Sequence, residues 1–115
     1  MDWSDDIIIA ELADEPALSE ELLATIERAE AAPDEGVPHA VLNFANVTYL
    51  NSTNIGQLLR LRKRLTTAGR SLRLCSMRDE VWTLILAAGL DRIFRVDPDP
   101  MTALAGLQLE QAGEA

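Results

Sequence analysis

The 115-residue sequence has little of the side-chain chemistry on which most enzymes and metal sites depend. It contains one cysteine, Cys75, and one histidine, so it cannot form an internal disulfide or a cysteine cage for a metal ion. No apolar run approaches the roughly 20 residues that span a bilayer, and the first residues, "MDWSDDIIIAEL", are acidic where a secretory signal is basic. We therefore expect a cytoplasmic protein with no metal, no cofactor and no direct membrane insertion.

Acidic residues are also absent from the middle of the chain. Residues 1–35 hold 12 of the 19 acids and a single base, whereas residues 36–78 hold no acid and seven bases. The net charge of -9 argues against nucleic acid as a partner. The uneven distribution fits two interpretations, a pair of solvated faces or a polarised surface that orients the encounter with another protein.

What the sequence does contain is an alternation of strand-like and helical segments. Strands are predicted over residues 7–12, 39–50 and 70–77, and helices over 14–32, from within 51–55 to about 68, over 78–94 and over 101–113; "RVDPDP" (95–100) is predicted to be a turn. Glycines 69 and 89 are predicted to end the second and third helices. The alternation predicts one small α/β domain over residues 1–115, with a mostly parallel or mixed sheet of about four strands.

The helical segments carry apolar faces that should pack on this sheet. The first face comprises Leu18, Leu22, Leu23, Ile26 and Ala29, and the second comprises Ile55, Leu58, Leu59, Leu61 and Leu65. Cys75, within the apolar run "SLRLCSM", is predicted to be a core residue, and Trp82 to pack in or near the core.

Four small polar residues, Asn51, Ser52, Thr53 and Asn54, stand where the second strand passes into the second helix. In the structural interpretation they are a turn and a helix cap, with Asn54 and Gln57 placed as in a capping box. In the functional interpretation the helix N-terminus favours an anion, and a serine there can carry a phosphoryl group. Nothing in the sequence places a base beside Ser52, and His39 lies at the opposite end of the strand, so we expect no enzymatic activity.

The segment from Ala40 to Leu107 resembles the STAS domain, the family of anti-sigma-factor antagonists and sulfate-transporter tails. The family pattern is an apolar strand, Asp-Ser-Ser/Thr-Gly-(apolar)-Gly, a helix, a glycine turn, a strand and a helix that closes on Gly-Leu with a Phe a few residues later. This sequence has "NSTNIG" (51–56), Gly69, "AAGLDRIF" (87–94) and "TALAGL" (102–107) in that order.

The resemblance implies a regulatory protein-binding module. It places the phosphorylated serine of the family on Ser52, with Thr53 as the less favoured hydroxyl, and makes Gly56 the small residue that lets the helix start close to the sheet. A serine kinase of the anti-sigma-factor type would dock on the loop and helix that carry Asn51, Ser52, Thr53, Asn54, Gly56, Gln57, Arg60, Lys63 and Arg64. The alternative is a non-switching adaptor subunit of an ABC-type lipid transporter, bound to its ATPase, or of a stress-signalling scaffold.

The sequence departs from the family at several positions. Asn51 and Asn43 replace two aspartates, and Asn54 replaces a glycine, although Asn tolerates the left-handed conformation well. The two Asp-to-Asn differences reduce the repulsion of a phosphate on Ser52. They also remove carboxylates that help a kinase orient the hydroxyl, so the net effect on phosphorylation does not follow from the sequence. Only one strand is evident before the first helix, and its bare edge would permit a homodimer.

Overall fold

The computed structural model describes the backbone of residues 2–3 and 7–113 and the side chains of residues 7–110. Within these residues the strands are β1 (Asp2–Trp3), β2 (Ile7–Ala13), β3 (His39–Asn46), β4 (Leu72–Cys75) and β5 (Arg95–Asp97). The α-helices are α1 (Ala17–Ala31), α2 (Ser52–Thr67), α3 (Asp79–Ala87) and α4 (Pro100–Gly113). The strands form one sheet in sequence order, in which β2 to β5 are parallel. The predicted small α/β fold is therefore confirmed.

The edge strand β1 runs antiparallel to β2 and pairs with only two of its residues, Ile8 and Ile9. The sheet therefore has five strands, one more than predicted, because two strands precede α1 where the sequence indicates only one. Residues 10–13 of β2 have no strand beside them on this side among the described residues. A homodimer through this edge stays a prediction.

The sheet separates two apolar cores of different size. Alternate strand residues face the helices α1, α2 and α3, and this larger core includes Ile8, Leu42 and Phe44. The other face is covered by α4, where Val41 and Cys75 pack with Ala103 and Leu107. Cys75 is fully buried and Trp82 packs against the larger core, as predicted.

Several boundaries differ from the prediction. The segment "RVDPDP" was predicted to be a turn because two prolines and two aspartates dominate it, but Arg95–Asp97 forms β5, which pairs with β4. This pairing is a tertiary interaction that the composition of the segment does not reveal. Strand β3 ends at Asn46, earlier than predicted. Helix α3 ends at Ala87, two residues before the predicted stop at Gly89, and does not extend to residue 94. Gly69 and Gly89 adopt φ of 75° and 73°, so they are the left-handed residues expected after α2 and α3.

Helix α4 is held to the sheet by an ion cluster as well as by its small apolar face. The buried Arg73 pairs with Asp97 at 3.0 Å and with Glu110 of α4, whose carboxylate also accepts a hydrogen bond from Ser71 at 2.9 Å. Partial burial raises the pKa of Glu110, but the hydrogen bonds from Ser71 and Arg73 outweigh it and the net pKa is lowered. No helix within the described part of the chain has the length and apolar character to cross a membrane.

Candidate functional site

The polar loop after β3 lies at the edge of the sheet where the parallel strands end. Strands β2 and β3 are neighbours, so the turn that carries Asp14 and Glu15 lies beside residues 47–51. In α/β sheets this carboxyl edge is where the connecting loops are free to form a site. The candidate site is therefore built from two adjacent loops and from the N-terminus of α2.

The first half of the loop is fixed to β2 and to the core. Val47 and Leu50 are buried, while the Asp14 carboxylate accepts hydrogen bonds from the Thr48 backbone N–H at 2.8 Å and from its hydroxyl at 2.7 Å. These bonds from Thr48, the backbone one first, lower the pKa of Asp14. Between them Tyr49 points outward, with 62% of its surface exposed.

The second half of the loop is a reciprocal helix cap. The Asn51 side chain accepts a hydrogen bond from the Asn54 N–H at 2.8 Å, and the Asn54 side chain accepts one from the Asn51 N–H at 3.0 Å. The capping box thus begins at Asn51, and the predicted pairing of Asn54 with Gln57 was wrong by three residues. Asn54 is fully buried and lies within the helix, so its tolerance of the left-handed conformation is not used.

Glu15 joins this cap to the first helix. Its carboxylate accepts a hydrogen bond from the Ser19 backbone N–H at 2.6 Å and another from the Ser19 hydroxyl. The same carboxylate lies 3.4 Å from the side-chain nitrogens of both Asn51 and Asn54. The hydrogen bonds from the Ser19 side chain and backbone lower the pKa of Glu15. One carboxylate therefore serves the N-terminal turns of α1 and α2 together.

Ser52 is the first residue of α2 and is exposed to solvent. Its hydroxyl makes no hydrogen bond with any described residue, and the same holds for the exposed Thr53. The first N–H groups of a helix lack intrahelical partners and carry a partial positive charge. The structure therefore places the exposed Ser52 hydroxyl at the start of α2, the position that the sequence predicts for it.

Gly56 lies one turn beyond Ser52 and corrects another expectation. A glycine that let α2 approach the sheet would face inward, but Gly56 is exposed and a Cβ built on it meets no atom within 4 Å. Its φ lies outside the left-handed region that favours glycine. Among the described residues, neither packing nor backbone geometry requires a glycine at position 56.

Because position 56 does not require glycine, we predict that Gly56→Ala stabilises the protein. A helix-interior glycine costs about 0.5–1 kcal/mol relative to alanine because it loses more backbone entropy on folding. We expect the variant to raise the free energy of unfolding by about that amount in urea titrations. The same change at Gly89, whose φ is 73°, provides the contrast and should destabilise the protein. A destabilised Gly56→Ala would show that the glycine has a packing role after all.

The basic residues further along α2 are largely engaged within the chain. Arg60 forms a two-point ion pair with Glu30 of α1, at 2.8 and 2.5 Å. Arg64 pairs with Asp34 at 2.8 Å and donates to two carbonyls, that of Ala29 in the last turn of α1 and that of Ala32 just after the helix. Lys63 is exposed and forms no ion pair with the acids that the structure describes. The side chain of Gln57 donates to the Ser19 carbonyl at 3.1 Å.

These contacts divide the predicted binding surface into two parts. Ser52, Thr53, Gly56 and Lys63 are accessible, whereas Gln57 and Arg64 mainly hold α2 against α1. His39 begins β3 at the end opposite the loop, where its Nδ1 accepts a hydrogen bond from the Ser71 N–H at 2.9 Å. The histidine therefore lies away from Ser52, as predicted.

Two residues at the site were not singled out in the sequence. Glu15 was grouped with the helix that follows it, because an acid before a proline at a helix start has an ordinary explanation. Tyr49 was assigned to the strand, yet it is the chain's only tyrosine and lies two residues before the capping asparagine. An isolated aromatic residue beside a polar loop was the available signal for Tyr49, whereas no local pattern indicates Glu15.

Solved structures show the same fold across low sequence identity. A protein from Thermotoga maritima, described provisionally as an anti-sigma factor antagonist, matches with a TM-score of 0.73 and 17% identity over 93% of this chain and 92% of that chain. An anti-sigma-factor antagonist (STAS) domain protein from Planctomyces limnophilus matches with a TM-score of 0.74 and 14% identity over 89% and 91%. The Bacillus cell-fate determinant SpoIIAA in its phosphorylated form matches with a TM-score of 0.66 and 13% identity over 91% and 94%.

The sequence itself also matches a family model. The model describes the STAS domain, and the match runs over residues 12–103. That range includes all four parallel strands at least in part, the loop that bears Ser52 and the first three α-helices. The chain belongs to the STAS domain family.

Proposed function

We propose that the protein is a regulatory binding module of the anti-sigma-factor antagonist type, and that Ser52 is its phosphorylated residue. The observation that carries the proposal is the exposed, unbonded Ser52 hydroxyl at the first position of α2. A phosphate there adds about -1.5 to -2 charges and three acceptor oxygens next to N–H groups that lack partners. A serine kinase of the anti-sigma-factor type is the proposed partner, and binding is lost on phosphorylation.

The free surface around Ser52 supports this role. Tyr49, three residues earlier in the loop, and Thr53, the next residue, are both exposed, and the exposed Gly56 leaves one position on the next turn of the helix without a side chain. A glycine that costs stability without a folding reason is explained if another protein surface approaches the helix closely there. The match to SpoIIAA in its phosphorylated form supports the proposal, because that protein shares this fold and is phosphorylated.

The proposal is tested with a cognate serine kinase of the anti-sigma-factor type. We expect incubation with that kinase and ATP to add one phosphate, seen by intact mass, and fragmentation to locate it on Ser52. Ser52→Ala should abolish the modification, while Thr53→Ala, a matched change to the neighbouring exposed hydroxyl, should retain it. Modification at another residue, or none together with no binding of the unmodified protein, would contradict the proposal.

The second candidate is a non-switching adaptor in an ABC-type lipid transporter or a stress-signalling scaffold. The closed network of Glu15, Asn51 and Asn54 favours it, because that network already fixes the loop in one state. The adaptor is expected to co-purify with a transporter ATPase or scaffold, with binding unaffected by Ser52→Ala. In either case we propose a non-enzymatic role, since no described residue donates to or accepts from the Ser52 hydroxyl as an activating base would. We propose the cytoplasm as its location.

A further inference from the structure

We propose that the Glu15 carboxylate repels a phosphate on Ser52. Phosphorylation of Ser52 would then weaken the contacts between Glu15 and the cap of α2. This inference rests on the proposed function, since it concerns how phosphorylation of Ser52 affects other residues of the chain. Its basis is the position of the Glu15 carboxylate between the N-terminal turns of α1 and α2.

The contacts of Glu15 place its charge beside Ser52. Its carboxylate lies 3.4 Å from the side-chain nitrogens of Asn51 and Asn54, the residues on either side of the Ser52–Thr53 pair. Both amides are held by the reciprocal cap, so neither turns away without breaking a bond of 2.8 or 3.0 Å. The Glu15 carboxylate therefore already places one negative charge near the N-terminus of α2, where the helix dipole favours negative charge.

Within the described part of the chain, no cation neutralises this carboxylate. The ion pairs of the described residues do not include Glu15, and its partners are the neutral Ser19, Asn51 and Asn54. The neighbouring Asp14 is held separately by Thr48, and Arg78 is the cation that acts on Asp14. A phosphate on Ser52 would therefore meet a carboxylate whose charge is balanced only by hydrogen-bond donors.

A phosphate at position 52 would place a second anion at the N-terminus of α2, close to the amides that Glu15 contacts. Charges within about 10 Å interact appreciably at 0.1 M salt. Repulsion penalises the dianion of the phosphate more than its monoanion, and it weakens the contacts of Glu15 with Asn51 and Asn54. Because Glu15 also caps Ser19, the disturbance reaches the first turn of α1. Modification of one residue is thereby transmitted to a second helix.

The experiment uses phosphoserine installed at position 52 during translation, so it needs neither a kinase nor a binding partner. The second pKa of the phosphate is read by ³¹P NMR across a pH series. Glu15→Gln keeps the shape and an acceptor but removes the charge, and we expect the phosphate pKa to fall by about half a unit. Glu35→Gln, the matched loss of one exposed acid before the start of β3, should leave the pKa unchanged.

A second measurement does not depend on the variant's stability. In the otherwise unaltered chain, the backbone amide of Ser19 should shift on phosphorylation of Ser52, while that of Glu30, at the far end of α1, should not. Equal phosphate pKa values in the Glu15→Gln and Glu35→Gln proteins, or an unshifted Ser19 amide, would overturn the inference. Either result would leave the kinase experiment on Ser52 standing, and a chain that no kinase modifies would still report on Glu15.

Discussion

Replacing Arg73 with alanine is expected to lower the free energy of unfolding by about 3 kcal/mol, because the change removes one partner of a buried ion cluster. The Arg73 side chain is 6% exposed and pairs with Asp97, itself 14% exposed, at 3.0 Å. Without Arg73 the Asp97 carboxylate keeps its burial cost and loses the opposing charge. The expected loss of about 3 kcal/mol lies at the lower end of the range for breaking a buried ion pair, because Glu110, the second partner, is one-third exposed.

Chemical denaturation at neutral pH measures this loss, and Arg95→Ala is the matched control. Arg95 lies on the adjacent strand and approaches Glu110 only to 3.6 Å, with 64% of its side chain exposed. An exposed pair of this kind contributes between zero and about 1 kcal/mol. If both variants unfold at the same denaturant concentration, the Arg73 cluster does not hold α4 on the sheet.

The same cluster explains the small residue at position 106. A Cβ added to Gly106 of α4 would lie 2.5 Å from Nη1 and 2.6 Å from Cζ of Arg73, far inside normal contact distances. The glycine therefore lets α4 pass directly over the guanidinium. Among the described residues Gly56 has no such neighbour, so Gly56 in α2 and Gly106 in α4 have different physical origins.

Much of the fold follows from local patterns in the sequence. Amphipathic periodicity and the stop signals at Gly69 and Gly89 indicate the helices, and the apolar runs indicate β2, β3 and β4. Strand β5 escapes such reasoning because Val96 is the only apolar residue in a three-residue strand, and its pairing with β4 is not encoded locally. The exposure of Leu23 and Leu59, each on a predicted apolar face, has the same cause. Periodicity gives the direction of a face but not how far its neighbours cover it.

In the candidate site, too, some features follow from the local sequence and others depend on residues far apart in the chain. The position of Ser52 at the start of α2 follows from the passage between a strand and a helix, and the structure places it there. The role of Glu15 does not follow, because its partners Asn51 and Asn54 are 36 and 39 residues away. The engagement of Arg60 with Glu30 and of Arg64 with Asp34 is equally long-range. A sequence pattern identifies the basic residues of α2 but not which of them are already paired.

Replacing Asn54 with alanine is expected to lower the free energy of unfolding by about 2 kcal/mol, although the side chain lies in the first turn of a helix. Asn54 is fully buried, and its carbonyl oxygen accepts the Asn51 N–H at 3.0 Å. Its side-chain nitrogen lies 3.4 to 3.5 Å from Glu15, Ser19 and Gln57. Loss of one half of a capping box and of a buried amide each cost on the order of 1 kcal/mol.

Thr53→Ala is the matched control, since Thr53 precedes Asn54 in the same turn but is exposed and unbonded to the described residues. Its variant should stay within about 0.5 kcal/mol of the natural protein. Hydrogen exchange should separate the two further, with the amides of α2's first turn opening faster only in Asn54→Ala. Equal melting and exchange would mean that Asn51 caps the helix alone. The buried asparagine would then have no part in presenting Ser52.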